Sequence, residues 1–232
     1  LCLMREFGKE DASRRKRIAL VGLRGAGKST LGRALAGELA VPFVELNSAI
    51  EAEAGMSLNE VFSLYGQPGF RRLERRCLDK FITEHESAVI TVGGGIVSEA
   101  ETFNLLLMNC FTVWVKATPE EHMSRVVAQG DMRPMSASKE AMDDLRSILL
   151  GRAAFYSKAE LRLDTSAQPL QPTFAALRAM VRKALQLPDI RNIWTQQGAV
   201  AGGEPPAQMR RLVRSEVERW GKVVRDAKVK ID

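Results

Sequence analysis

The chain has 232 residues, 45% of them hydrophobic and 27% charged, which bounds it to one globular domain, or one domain with an appendage. The net charge of +6 suits a polyanionic ligand and does not by itself argue for DNA binding. No apolar run is long enough to span a bilayer; the longest, near Leu105–Met108, is far too short.

Residues 1–16 read as a linker or truncated N-terminus that ends in the basic tract Arg14-Arg15-Lys16-Arg17. The tract is expected to be solvated, with nucleic-acid contact the lesser alternative. A strand at Ile18–Val21 follows, then Gly22-x-x-x-x-Gly27-Lys28-Ser29, then a helical pattern through Leu31, Ala34, Leu35 and Leu39. That spacing in that context is the phosphate-binding loop. Its glycines let main-chain N–H groups close on a polyphosphate, and the new helix turns its positive end toward the anion. Gly25, Ala26, Gly27, Lys28, Ser29 and Thr30 are the expected nucleotide contacts, with Lys28 on the terminal phosphates and Ser29 on Mg²⁺.

A second strand is expected at Pro42–Leu46, with helix from Ser48 to Gly55. Ser57 opens a helix with Leu58, Val61, Phe62 and Tyr65 on one side, and Gly69-Phe70-Arg71-Arg72-Leu73-Glu74 opens a longer one toward His85. Ala88–Val92 reads as a buried strand ending in Gly93-Gly94-Gly95, Phe103–Met108 as helix, and Phe111–Val115 as a fourth strand. Thr118-Pro119-Glu120-Glu121 starts a helix that ends near Gly130. A polar loop, 131–138, carries Arg133 and Pro134. Helix from about Lys139 to Tyr156, a strand at Arg162–Asp164 and helix at Phe174–Leu185 complete the unit. Strands alternating with helices predict a three-layer α/β/α fold with a five-stranded parallel sheet. Cys2, Cys77 and Cys110 have no paired spacing, which points to a reducing, cytoplasmic setting. His85 and His122 are expected at the surface, in no zinc spacing.

Residues 17–186 resemble shikimate kinases. The resemblance rests on the loop GLRGAGKST, on Gly69-Phe70-Arg71 with Glu74, on the triple glycine, on Arg133-Pro134 and on Arg152-x-x-x-Tyr156, in the family's order. It implies a P-loop kinase fold with a mobile lid, ATP and Mg²⁺ as cofactors, and a small polyhydroxy acid as substrate. It assigns Arg71 and Arg152 to the substrate carboxylate, Gly93, Gly94 and Gly95 to substrate contact, and Arg133 to the transferring phosphoryl group. Arg125 is assigned to adenine, which Asp164-Thr165 and Pro169 border. The family has two aspartates at the end of the second strand, one near Mg²⁺ and one on the substrate hydroxyl. Here the positions read Glu45-Leu46-Asn47: Glu45 keeps the metal's charge, and Asn47 binds a hydroxyl but cannot take its proton.

A second resemblance runs through Phe103–Leu107, Thr112–Trp114, Glu121-His122-Met123, Gln129–Met135 and Leu163–Ser166. These segments are similar to the kinase-like half of regulators of aerobic benzoate breakdown, which carry an N-terminal helix-turn-helix and are taken to sense benzoyl-CoA. It implies a sensing domain for an aromatic acyl-CoA or nucleotide as the alternative to a phosphotransferase on a small-molecule acid. No helix-turn-helix is readable here, so neither nucleic acid nor membrane is an expected partner. From Leu187 the pattern changes to a breaker-rich stretch and an apolar stripe from Met209 to Ala227. This tail, 187–232, resembles the C-terminal end of solute receptors for tripartite tricarboxylate transport. It predicts an extra amphipathic helix that packs poorly on residues 17–186.

Overall fold

The computed structural model of the protein describes residues 14, 16–128 and 139–185. Its elements alternate as expected. They are β1 (Arg17–Val21), α1 (Lys28–Leu39), β2 (Phe43–Glu45), α2 (Leu46–Ala54), α3 (Leu58–Glu84), β3 (Ala88–Thr91), α4 (Ala100–Asn109), β4 (Phe111–Lys116), α5 (Pro119–Ala128), α6 (Lys139–Tyr156), β5 (Leu161–Asp164) and α7 (Leu170–Leu185). A short 3₁₀ turn, Ile96–Ser98, follows the triple glycine.

All four strand pairings are parallel, and the order is β2-β3-β1-β4-β5. The central strand β1 is buried from end to end. Its alternating residues feed two cores: Ala19 and Val21 face Leu46, Leu78, Phe81 and Phe103, whereas Ile18 and Leu20 face Leu31, Leu35, Leu177 and Val181. A period of two in the strands thus separates a layer of α2, α3 and α4 from a layer of α1 and α7. A third, small cluster joins Leu23 to Met123, Ala141 and Leu145, which seats α5 and α6 over the mouth of the sheet. Among the described residues no helix is long and apolar enough to cross a membrane.

Local signals explain the boundaries. Ser57 and Glu60 form a reciprocal capping box at the start of α3. Thr118 and Glu121 exchange the same bonds at the start of α5. The two helices expected between Ser57 and His85 run together as α3 but break at Gly66 (φ 62°, ψ −174°), two residues before Pro68.

Three expectations are corrected. The second strand stops at Glu45, and α2 begins at Leu46 rather than Ser48, because Leu46 turns inward and is fully buried. Asn47 therefore sits on the first helical turn. His122 is buried rather than at the surface, and His85 is half-buried. The described residues of the basic tract are bound to the protein rather than left free in solvent. Arg17 is buried and donates to the carbonyls of Asn109 and His85, Lys16 pairs with Glu86, and Arg14 pairs with Glu160. Three of the tract's cations are thus engaged by the protein at the base of the sheet. Arg133, Pro134 and the tail 187–232 with its apolar stripe lie outside the described residues.

Gly22 leaves β1 at φ +141°, where a Cβ would stand 2.3 Å from the carbonyl oxygen of Val115. Gly22→Ala is expected to destabilise the fold by about 2–4 kcal/mol through backbone strain and overlap with a neighbouring strand. A urea unfolding midpoint unchanged from wild type would contradict this.

Candidate functional site

A cleft of about 600 Å³ opens at the C-terminal ends of the sheet strands. It is lined by the β1–α1 loop, by Glu45 and Asn47, by Leu58, Asn59 and Phe62 of α3, and by Thr91–Gly94. This is where a parallel α/β sheet places its ligands.

The floor is the loop between β1 and α1. Gly25 and Gly27 adopt positive φ (76° and 89°), a conformation that costs a side-chain-bearing residue free energy. Gly27 is the left-handed cap from which α1 starts, with no side-chain oxygen on its first-turn N–H groups. Those donors and the helix dipole face the cleft and suit an anion. The side chain of Ala26 is buried in the core, and its N–H already closes a turn onto Leu23 O at 3.3 Å, so its part is mainly to shape the loop.

Lys28 reaches back along this loop. Its Nζ donates to the carbonyls of Gly22 and Leu23, each at 2.9 Å. Burial, and then the neighbouring Arg24, bring its pKa down to about 8, while Glu45 opposes them. Ser29 Oγ, on the first turn of α1, donates to Glu45 Oε1, and Arg33 holds the other carboxylate oxygen at 3.3 Å. A hydroxyl and a carboxylate meeting beside the phosphate loop are two hard oxygen donors, the set Mg²⁺ prefers. Among the described residues no three His, Cys, Asp or Glu side chains cluster for a metal. An ion held here would complete its shell with water and phosphate oxygens.

The opposite wall carries the basic groups. Arg71, on α3, bonds Glu74 at 2.6 Å and lies 3.7 Å from Glu99. Glu74 is fully buried, and burial raises its pKa against the pull of Arg71. Arg71 Nε and Glu74 Oε1 are buried with no hydrogen-bond partner. Arg152 and Tyr156, one turn apart on α6, converge on a single acceptor, Gly94 O, at 3.3 and 2.6 Å. Tyr156 stacks on Trp114 and is buried, which pushes its pKa up to about 12.

The triple glycine acquires three separate reasons. A Cβ on Gly95 would stand 2.6 Å from the Arg71 guanidinium, one on Gly94 would stand 3.1 Å from the main chain of Leu23, and one on Gly93 would fall 3.3 Å from Asn47 Oδ1. The turn thus makes room for the arginine and for the phosphate loop as much as for a ligand.

Of the residues singled out from sequence, Gly25, Gly27, Lys28, Ser29, Thr30, Glu45, Asn47, Gly93 and Gly94 line the cleft. Arg71, Gly95 and Arg152 stand beside it at the glycine turn. Arg125, on α5, donates to Gly25 O at 3.4 Å and to Thr165 Oγ1 at 3.1 Å, bridging the loop to the end of β5. Further along α3, Arg75 and Arg76 pair with Glu101 and Glu53 at the surface. Sequence reasoning gave no role to Asn59 or Phe62 in the cleft wall, or to His122. Phe62 stacks on Phe70 with ring centroids 4.5 Å apart, a pairing that the helix break at Gly66 hides from simple spacing.

The comparisons agree on one family. A family model described as shikimate kinase matches residues 24–186. The chain is similar to the shikimate kinase of Zymomonas mobilis, 40% identical over 152 residues, covering 66% of this chain and 85% of that one. It is similar to the shikimate kinase of Caulobacter vibrioides, 36% identical over 171 residues, covering 74% and 84%. Among solved structures it resembles the Acinetobacter baumannii shikimate kinase in complex with shikimate, with TM-score 0.64, 26% identity and coverage of 73% and 95%. The Bacteroides thetaiotaomicron shikimate kinase structure matches with TM-score 0.64 at 30% identity, covering 71% and 97%.

The Lys28 ammonium sets a pH dependence on the site. Phosphate binds the charged form, and the free protein loses that charge above a pKa of about 8. Affinity for inorganic tripolyphosphate is therefore expected to be flat from pH 7 to 7.5 and to fall toward tenfold per pH unit above about 8. Lys28→Met is expected to bind weakly and to lose that slope. A slope unchanged in the variant would assign it to another group.

Proposed function

The chain belongs to the shikimate kinase family, and on that footing we propose that it moves the γ-phosphate of ATP to a hydroxyl of shikimate or a closely similar acid. The observation that carries this reading is the cleft itself. It sets a phosphate loop with a half-buried lysine on one side and a glycine turn backed by two arginines on the other.

Each residue has a physical task. The N–H groups of Gly25, Gly27 and Ser29 receive the phosphates at the start of α1. Lys28 exchanges its two carbonyl partners for phosphate oxygens, which raises its pKa and fixes its charge. Ser29 and Glu45 would hold Mg²⁺, which would supply neutralisation of phosphate charge. Arg71 and Arg152 clamp the substrate carboxylate, since a planar guanidinium matches two carboxylate oxygens at once. Glu74 and Glu99 keep Arg71 in that orientation. Arg125 borders the adenine pocket with Thr165. Arg133, outside the described residues, is assigned to the transferring phosphoryl group by the family resemblance alone.

Asn47 orients the attacking hydroxyl from the first turn of α2. The hydroxyl oxygen forms the new bond to phosphorus, the bond to ADP breaks, and the hydroxyl proton leaves to solvent or phosphate. Asn47 is neutral and cannot accept that proton. Phosphoryl transfer tolerates this loss, because it depends chiefly on position and charge neutralisation. The regulator-like reading, with an aromatic acyl-CoA as ligand, gains no support from the relatives described above.

A coupled ADP-release assay with shikimate tests the proposal. Wild type is expected to turn over slowly, and Asn47→Asp to raise kcat by about 10²-fold as a carboxylate regains the proton. Absence of turnover in both proteins, with ATP bound by both, would overturn shikimate as the substrate.

A further inference from the structure

We infer that His122 is a positioning residue for the phosphate loop, acting from α5 through the carbonyl of Arg24. His122 is 1% exposed, and its Nδ1 lies 2.7 Å from Arg24 O. A carbonyl oxygen only accepts, so Nδ1 carries the hydrogen. Burial and the nearby Lys28 and Arg125 lower the imidazole's pKa, so the ring is the neutral Nδ1–H tautomer near neutral pH.

The geometry makes this bond an aiming device. The carbonyl of Arg24 and the N–H of Gly25 belong to one planar peptide, and no described peptide bond is cis. In a planar trans unit the two groups point in opposite directions. Fixing the carbonyl toward α5 turns the Gly25 N–H away from α5, toward the cleft that Gly25 lines. α5 approaches the loop closely on both neighbours of Arg24. A Cβ on Gly25 would meet the carbonyl of His122 at 2.7 Å, and Leu23 packs in the same cluster as Met123. Arg125, one helical turn on, holds the next carbonyl, Gly25 O. Two successive carbonyls of the loop are therefore held by two side chains of one helix, which preorganises the anion site before any phosphate arrives.

The inference rests only on the nucleotide half of the proposed function. The test is calorimetric titration of ADP with Mg²⁺ against three variants, with thermal unfolding measured alongside. In His122→Asn an amide nitrogen takes the place of Nδ1, whereas in His122→Gln the amide falls at the Nε2 position, where it cannot reach the same carbonyl. His122→Phe keeps a ring and has no donor. The expected result is an ADP Kd within about threefold of wild type for Asn and raised about tenfold for Gln and Phe, from loss of one buried hydrogen bond. The KM for shikimate is expected to stay at the wild-type value in all three, which a general loosening of the fold would not allow. Equal affinity in the Asn and Gln variants, or wild-type affinity in all, would overturn the inference. Should the Phe variant fail to fold, the Asn–Gln contrast decides alone. A wild type that binds no ADP would overturn the inference together with the nucleotide reading, whereas ADP binding without shikimate turnover would overturn only the substrate half of the proposed function and leave the ADP affinities to decide the inference.

Discussion

A main chain that must leave a buried central strand and reverse its polarity within six residues is the constraint on which the rest depends. β1 is inaccessible along its whole length, so the loop after it cannot drift. It turns outward through positive φ at Gly22, Gly25 and Gly27, and four of its carbonyls are taken up by side chains. Lys28 holds two of them, His122 a third and Arg125 a fourth. With the carbonyls of Arg24 and Gly25 held toward α5, the N–H groups are left to converge at the positive end of α1. The half-buried Lys28 ammonium is kept hydrogen-bonded by two loop carbonyls until phosphate replaces them.

The other wall solves the converse problem, that of placing cations where an organic acid can reach them. Arg71 and Arg152 bring like charges to one glycine turn. Glu74 and Glu99 temper the first, and the Gly94 carbonyl receives the second. Burial works against the Glu74 carboxylate, so the pair with Arg71 balances desolvation against attraction rather than adding much stability. What the pair supplies is orientation. The glycine turn serves both walls, because its missing side chains admit the Arg71 guanidinium on one side and the phosphate loop on the other.

Parts of this were legible in the chain and parts were not, for physical reasons. The phosphate loop is a local device, so spacing alone identified it. The alternation of buried strands and amphipathic helices declared the three layers, since that pattern is also local. Arg71 and Glu74 sit one turn apart on one helix, and their pairing follows from spacing. His122 carries no such signal. Its partner is 98 positions away, and a lone imidazole on a helix has the same appearance whether it faces water or the loop. The same holds for Gly95, whose need for a bare Cα comes from an arginine on another element. The basic tract before β1 misled because composition suggests solvation, whereas the carbonyls and carboxylates that engage it lie on distant segments. The start of α2 was misplaced because Leu46 continues the apolar run of the strand into the helix.

The central claim is that these main-chain amides receive the phosphates. Amide chemical shifts of the ¹⁵N-labelled protein, followed while ADP and Mg²⁺ are added, test it most directly. The largest shifts are expected at Gly25, Gly27, Lys28 and Ser29, with smaller ones along α1. Saturable ADP binding that left those four amides unmoved, while others shifted, would contradict the account.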